Sequence, residues 1–232
     1  KNDEGQCGLG DTYGDYRKQK KKEEMEKALK EEEEKKRLYP VLEKLLDQFP
    51  DVHYSIDTYR SSVAEGCLSR GASIINDISG GQFDPKMMDV VGSFGAPYIL
   101  MHIAGTPKDM QKNPKYKNIV QEILYYFSER VQKAYHSGIN DVIIDPGFGF
   151  GKTIEHNYTL LKNLDLFHSL QLPLLVGISR KSMVYKKLEI SPQEALNGTT
   201  VLNTLALSKG ANILRVHDVK EAKECCDLLQ AL

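Results

Sequence analysis

The sequence predicts an α/β fold, a parallel sheet of six strands covered by helices. Short apolar runs without alternation recur six times, as strands buried on both faces do. A stretch of helical periodicity separates each run from the next. Each run also ends in polar residues or glycine, which suit a site better than a core. A length of 232 residues fits one such domain, either an open doubly wound sheet or a (β/α) barrel.

The elements follow in order. Residues 1–16 mix glycines, acids and tyrosines without a period and read as loop or disorder. From Arg17 to Arg37 lysines and glutamates dominate, with only Met25, Ala28 and Leu29 apolar, which predicts a solvated helix of high propensity. Leu38, Val41, Leu42, Leu45 and Leu46 then recur at helical spacing up to Phe49-Pro50. A strand at 53–56 ends at Asp57, and a helix over 61–70 is stopped by Gly71. A strand at 73–75 leads to Asn76-Asp77, and a helix over 85–94 is stopped by Gly95. The strand at 97–100 runs into Met101-His102.

After a lysine-bearing loop, a helix over 116–137 places Ile119, Ile123, Phe127, Val131 and Ala134 on one face. The strand at 142–144 opens into Asp145-Pro146-Gly147-Phe148-Gly149-Phe150-Gly151-Lys152. Its glycines allow close backbone approach to a ligand, its phenylalanines offer flat faces to a planar ring, and its lysine suits an anion. A helix around 157–170, a strand at 172–176 and the segment Gly177-Ile178-Ser179-Arg180-Lys181 come next. A helix over 192–209, a strand at 212–214 ending in Arg215-Val216-His217-Asp218, and a helix over 219–231 close the chain.

Composition excludes several classes. A net charge of −1 provides no general attraction for nucleic acid, and no run of 18 apolar residues marks a membrane span. Cys7, Cys67, Cys225 and Cys226 lack metal-ligand spacing and read as reduced thiols of a cytoplasmic protein. Gly149 to Thr153 imitates the end of a phosphate loop, but its first glycine would fall on Pro146.

The strand ends carry the chemistry. Asp145 and Asn76 suit a heterocycle with amide and amine edges, because carboxylates pair with guanidine-like N–H groups. Arg215, His217 and Lys181 suit an anion such as phosphate. Phe150 and Met101 offer apolar faces. In a barrel all these ends would share one rim.

Together, the block from Asp145 to Lys152, Gly177 to Ser182, Arg215 to Asp218, Ser55 to Thr58 and Ile75 to Ser79 closely resemble dihydropteroate synthase, in order and in spacing. Met101-His102 with Gly105-Thr106-Pro107 adds a sixth block. The similarity runs from about residue 31 to the end and divides the chain into a charged segment, 1–30, and a pterin-binding domain, 31–232. It implies a (β/α)8 TIM barrel that condenses 6-hydroxymethyl-7,8-dihydropterin diphosphate with p-aminobenzoate in folate synthesis. By resemblance, Asp57, Asn76, Asp145 and Lys181 hold the pterin, with Met101 and Gly177 lining its slot. Arg215 lies near the pterin and, with His217, faces the diphosphate. Ser179, Lys181 and Phe150 lie beside p-aminobenzoate. Asp57, Lys181, Arg215 and His217 are the expected catalytic residues. Mg²⁺ is the implied cofactor, sulfonamides the implied inhibitors, and a homodimer the implied assembly, with Val201, Leu202, Leu205 and Ala206 at its interface.

Two family motifs have no counterpart, an Asn-x-Thr-Pro-Asp-Ser-Phe loop and a later Arg-Pro loop. The first supplies an asparagine for Mg²⁺ and diphosphate, so no metal ligand is carried over. The barrel is therefore expected to be incomplete, with six strands, exposed sheet edges and impaired turnover. The alternative reading is a non-catalytic, partner-binding remnant that keeps a pterin pocket and uses the helix at 17–37 for attachment.

Overall fold

The computed structural model describes residues 10–107, 109, 110, 112 and 114–231. The chain forms two compact units, residues 1–52 and 53–232.

The first unit is one long helix, α1 (Gly10–Gln48). It begins earlier than the sequence reading places it, so residues 10–16 are helical rather than loop, while residues 1–9 lie outside the described residues. Once a helix is nucleated, each added residue costs little, and the strong formers from Arg17 onward carry it through Gly10 and Gly14. Pro40 lies inside α1, where it lacks the N–H that would bond to the carbonyl of Lys36. Lys35 bridges Glu31 and Glu32 at 3.3 and 3.1 Å. Such pairs on a solvated face add only tenths of a kcal/mol, about 0.3–0.5 each. Met25 and Leu29 are exposed, as the charge run predicts.

The second unit contains the six strands that the apolar runs predict: β1 (Ser55–Asp57), β2 (Ile74–Asp77), β3 (Tyr98–Met101), β4 (Val142–Asp145), β5 (Leu175–Val176) and β6 (Ile213–Leu214). β1 to β4 form one parallel sheet in chain order, and β5 and β6 pair in parallel. A parallel bridge between Ile144 and Leu174 joins the two, and the Ile144 N–H donates to the Pro173 carbonyl at 2.9 Å. β3 is buried along its whole length, whereas both ends of β1 and Ile213 of β6 are exposed. These outer strands each pair on one side only among the described strands.

The helices between the strands are α2 (Ser61–Leu68), α3 (Met87–Phe94), α4 (Ile119–His136), α5 (Ile154–Lys162), α6 (Ser182–Leu188), α7 (Leu196–Ser208) and α8 (Val219–Gln230). All five residues of the predicted α4 stripe are buried. α5 starts at a Thr153–His156 capping box, before the expected 157, and gives way after Asn163 to a 3₁₀ segment (Leu164–Leu170). Pro192 likewise opens a short 3₁₀ turn (Pro192–Glu194) before α7. Periodicity does not announce α6, whose seven residues are too few for a period to show. The core gathers Tyr98, Phe127, Phe148 and Phe167 with Ile75, Leu100, Met101 and Ile123.

Asp77, at the end of β2, is wholly buried and fully satisfied. One oxygen accepts from the Ser79 N–H (2.8 Å) and hydroxyl (2.7 Å), the other from the Gly81 N–H (2.8 Å) and the Tyr98 hydroxyl (2.7 Å). It shapes the turn after β2 and is turned away from the site. Tyr98→Phe removes a donor to a buried charge and is expected to cost about 1.5–3 kcal/mol, read as a lower urea midpoint with an unchanged slope.

Candidate active site at the strand ends

Parallel pairing in register carries the polar ends of the strands to one side of the sheet. Asp57 pairs with Asn76 across β1 and β2, and Met101 with Asp145 across β3 and β4. The Asn76 side-chain N–H donates to Asp57 Oδ1, which turns the Asn76 amide oxygen away from Asp57; that amide oxygen is buried and has no partner. Asp145 is wholly buried. Its Oδ1 accepts from the Gly147 N–H at 2.8 Å, and its Oδ2 lies 2.9 Å from Arg215 Nη2. That ion pair is poorly aligned for a hydrogen bond, and Arg215 Nη1 is buried without a partner. A Cβ on Gly177 would stand 2.8 Å from Arg215 Nη2, so the guanidinium lies against the bare backbone of the segment after β5.

The remaining expected residues join this cluster. Lys181 donates to the Phe148 carbonyl at 2.6 Å and sits 4.8 Å above the Phe150 ring. Burial lowers its pKa to about 8; Asp145 opposes that shift and Arg215 adds to it. The His217 N–H donates to Ser179 Oγ at 3.2 Å, and this hydroxyl lies 2.9 Å from His217 Nδ1. Ser179 is buried and His217 exposed, so the serine holds the ring at the rim.

Two expectations from the glycine-rich loop need correction. Phe148 is fully buried in the core and presents no face; only Phe150 does. Lys152 does not stand free for an anion. It is 3% exposed, and its Nζ lies 2.9 Å from the Phe150 carbonyl, 3.4 Å from the His102 carbonyl and 3.0 Å from His102 Nδ1. Burial lowers its pKa to about 7 and drives that of His102 down to about 2, helped by the Lys152 charge. His102 is therefore neutral and accepts at Nδ1.

The sequence reading also misses Arg180. Its guanidinium grips Asp218 through two N–H groups, at 2.9 and 2.8 Å, and so ties the segment after β5 to the one after β6. Both residues stand inside recognised blocks, but opposite charges 38 positions apart give no local signal.

The profile of the pterin binding enzymes matches residues 20–217. Dihydropteroate synthase of Escherichia coli (strain K12) is 42% identical over 197 residues, covering 84% of this chain and 69% of the relative. The chain belongs to the dihydropteroate synthase family. Its enzymes are transferases of folate biosynthesis. The dihydropteroate synthase of Synechocystis sp. is also 42% identical, over 84% of this chain and 68% of its own length. Among solved dihydropteroate synthases, that of Yersinia pestis in complex with a sulfonamide drug superposes with a TM-score of 0.83 at 41% identity, covering 87% of this chain and 73% of that one. A Thermus thermophilus dihydropteroate synthase in complex with 6HMPPP gives 0.79 at 35% identity, covering 86% and 77%. The family match begins inside α1, before residue 31. The α/β architecture is that of the family's TIM barrels, with six strands among the described residues.

The buried lysine makes stability depend on pH. The folded pKa of Lys152, about 7, lies below its ordinary 10.5. Below about pH 7 both states are protonated and the folded state carries the full burial cost. As pH rises from 7 toward 10.5 the unfolded chain keeps a proton that the folded chain has lost, so folding is favoured more strongly. The stability of the wild type relative to Lys152→Met is therefore expected to rise by about 2 kcal/mol between pH 7 and pH 9. Chemical denaturation of both proteins at the two pH values measures it, and a flat difference refutes it.

Proposed function

We propose that the chain joins 6-hydroxymethyl-7,8-dihydropterin diphosphate to p-aminobenzoate, giving 7,8-dihydropteroate and diphosphate. The observation that carries this reading is the pair of buried acceptors, Asn76 Oδ1 without a partner and Asp145 holding a guanidinium. A buried acceptor left open is costly unless a ligand donates to it. A carboxylate that receives the planar guanidinium of Arg215 also suits the N–C–N edge of a pterin. Asp57, Asn76, Asp145 and Lys181 hold the pterin, between Met101 and the Gly177 backbone. Arg215 and His217 face the diphosphate. Phe150, Ser179 and Lys181 flank p-aminobenzoate. The 6HMPPP complex of the Thermus thermophilus relative supports the pterin assignment, and the sulfonamide complex of the Yersinia pestis relative supports sulfonamide competition.

In the reaction the C–O bond to diphosphate breaks and the p-aminobenzoate nitrogen bonds to the pterin methylene, losing a proton. Positive charge grows on the methylene as diphosphate departs. Asp57 offsets that charge, and Arg215 with His217 receives the leaving group. Positioning the amine against the carbon supplies the rest.

Mg²⁺ enters this proposal only with the diphosphate. Among the described residues no three His, Cys, Asp or Glu side chains converge on one point, and no step is routed through the ion. With Arg215 and His217 as the only diphosphate groups assigned, this chain recognises pterin better than it turns over. The functional domain includes residues 31–232, but 1–30 is not a separate segment, because α1 runs through residue 30 and the family match already begins at residue 20. Cys67, Cys225 and Cys226 form no disulfide, which fits a cytoplasmic setting, and no helix among the described residues is long and apolar enough to cross a membrane.

The chain also pairs with a second copy through α7 and α8. A groove of about 720 Å³ lies between them, lined by Leu196, Thr200, Cys225, Leu228 and Leu229. Of the expected interface residues, Leu202 and Ala206 are buried against the chain's own core, while Val201 and Leu205 are exposed, as is Leu228. The apolar face is thus narrower than the sequence suggests. Light scattering at micromolar concentration is expected to give a dimer, and a clean monomer removes this part of the reading.

The catalytic reading is tested by measuring pterin-analogue binding and turnover on one preparation, with Mg²⁺ present and p-aminobenzoate saturating. Saturable binding is expected, weakened at least about tenfold by Asp145→Asn through loss of the charge-assisted pair. Turnover is expected to lie far below that of a complete family member. Binding indifferent to Asp145 sinks the pterin site; full turnover sinks the imbalance.

A further inference from the structure

We propose that Lys152 is a positioning residue for the proposed transfer: its side-chain nitrogen clamps the segment that follows the buried Met101 of β3 to the loop after β4 and thereby fixes Phe150, an apolar wall of the substrate slot. This deepens the pterin-binding reading and rests on it.

The contacts converge on one nitrogen. Lysine is seldom fully buried without a carboxylate in contact, yet the hydrogen-bond partners of Lys152 are two carbonyls and a neutral imidazole. An ammonium has three N–H groups, and three acceptors stand around it. Two belong to His102, the residue after Met101, and the third is the carbonyl of Phe150 itself. A methionine or leucine would fill the space at far lower desolvation cost, so the nitrogen supplies something that packing alone does not.

What it supplies is a fixed distance between two loops. Elsewhere along this seam the backbones touch directly. A Cβ on Gly147 would come within 2.0 Å of the His102 carbonyl, and one on Gly151 within 2.6 Å of the Ala104 carbonyl. The Tyr116 hydroxyl donates to the Gly151 carbonyl at 2.8 Å and the Tyr126 hydroxyl to the Met101 carbonyl at 3.0 Å. The ring of Tyr126 meets His102 edge-on at 4.9 Å. The tyrosines hold one segment each, whereas Lys152 bonds both at once, through His102 and the Phe150 carbonyl. On its other face Phe150 lies under Lys181. A shift of its peptide would move the surface on which Lys181 and p-aminobenzoate rest.

The test uses the full chain as wild type, Lys152→Met and Lys152→Gln. The probes are 6-hydroxymethylpterin, and p-aminobenzoate added to the pterin-loaded protein with diphosphate present. Folding is followed by circular dichroism and thermal unfolding. Lys152→Met is expected to remain folded while both affinities fall about tenfold. Lys152→Gln, which keeps a donor, is expected to recover part of the loss, as a merely space-filling role would not allow. A folded Lys152→Met that binds both probes like the wild type overturns the proposal. If Lys152→Met does not fold, the affinities of Lys152→Gln decide, and unchanged values overturn it. A wild-type chain that binds neither probe overturns the functional reading itself, and this proposal with it.

Discussion

The site depends on one buried negative charge. Asp145 ends a central strand with no exposure to solvent, and a carboxylate there must be paired or lose its charge. Its own loop supplies one N–H, from Gly147, and β6 delivers Arg215. Two lysines feel the same charge, since Asp145 works against the lowering of the pKa of both Lys152 and Lys181. One carboxylate thus serves three cations. Only Arg215 pairs with it directly; the lysines satisfy themselves on backbone carbonyls and, for Lys152, on His102. The surplus is positive, in a place where polar atoms are still unpaired. Such a cluster suits an anion and a flat N–H-bearing ring together, as the proposed function requires.

The fold delivers this cluster through parallel register, and that part is legible in the sequence. Apolar runs such as Val142-Ile143-Ile144 cannot alternate because both faces are covered, and a polar residue directly after a run marks the strand end. Asp57, Asn76, Met101, Asp145, Ser179 and Arg215 are singled out as strand-end residues by that logic. Asp77 shows its limit. A carboxylate at a strand end reads the same whether it faces a ligand or folds back onto its own turn, and only the Tyr98 hydroxyl, 21 positions away, reveals the second case.

What stays hidden is set by partners distant in sequence or by short elements. Lys152 looks like an anion ligand because lysine after a glycine run usually is one, but His102, 50 residues earlier, captures it. Arg180 and Asp218 meet only because β5 and β6 pair. α6 is too short for periodicity to show, and α1 extends through glycines that argue locally against helix. In each case tertiary contact or helix propagation overrides a correct local preference.

The two lysines of the site also differ in a way that follows from their partners. Lys152 ends on acceptors supplied entirely by the protein, so a ligand has nothing to offer it. Lys181 has one carbonyl and an aromatic face, and leaves donors unspent. With a pKa lowered to about 8 by burial, Lys181 stands closer to neutrality than an exposed lysine. An anionic ligand brought beside it favours the charged form and draws a proton in. On the proposed function, a pterin edge competes with Arg215 for the oxygens of Asp145. On the same reading, Arg215 is freed for the anion that arrives with the ring. Under that proposed function, binding of the ring and capture of its diphosphate are coupled through Asp145, a single carboxylate that cannot serve both guanidine-like partners fully at once.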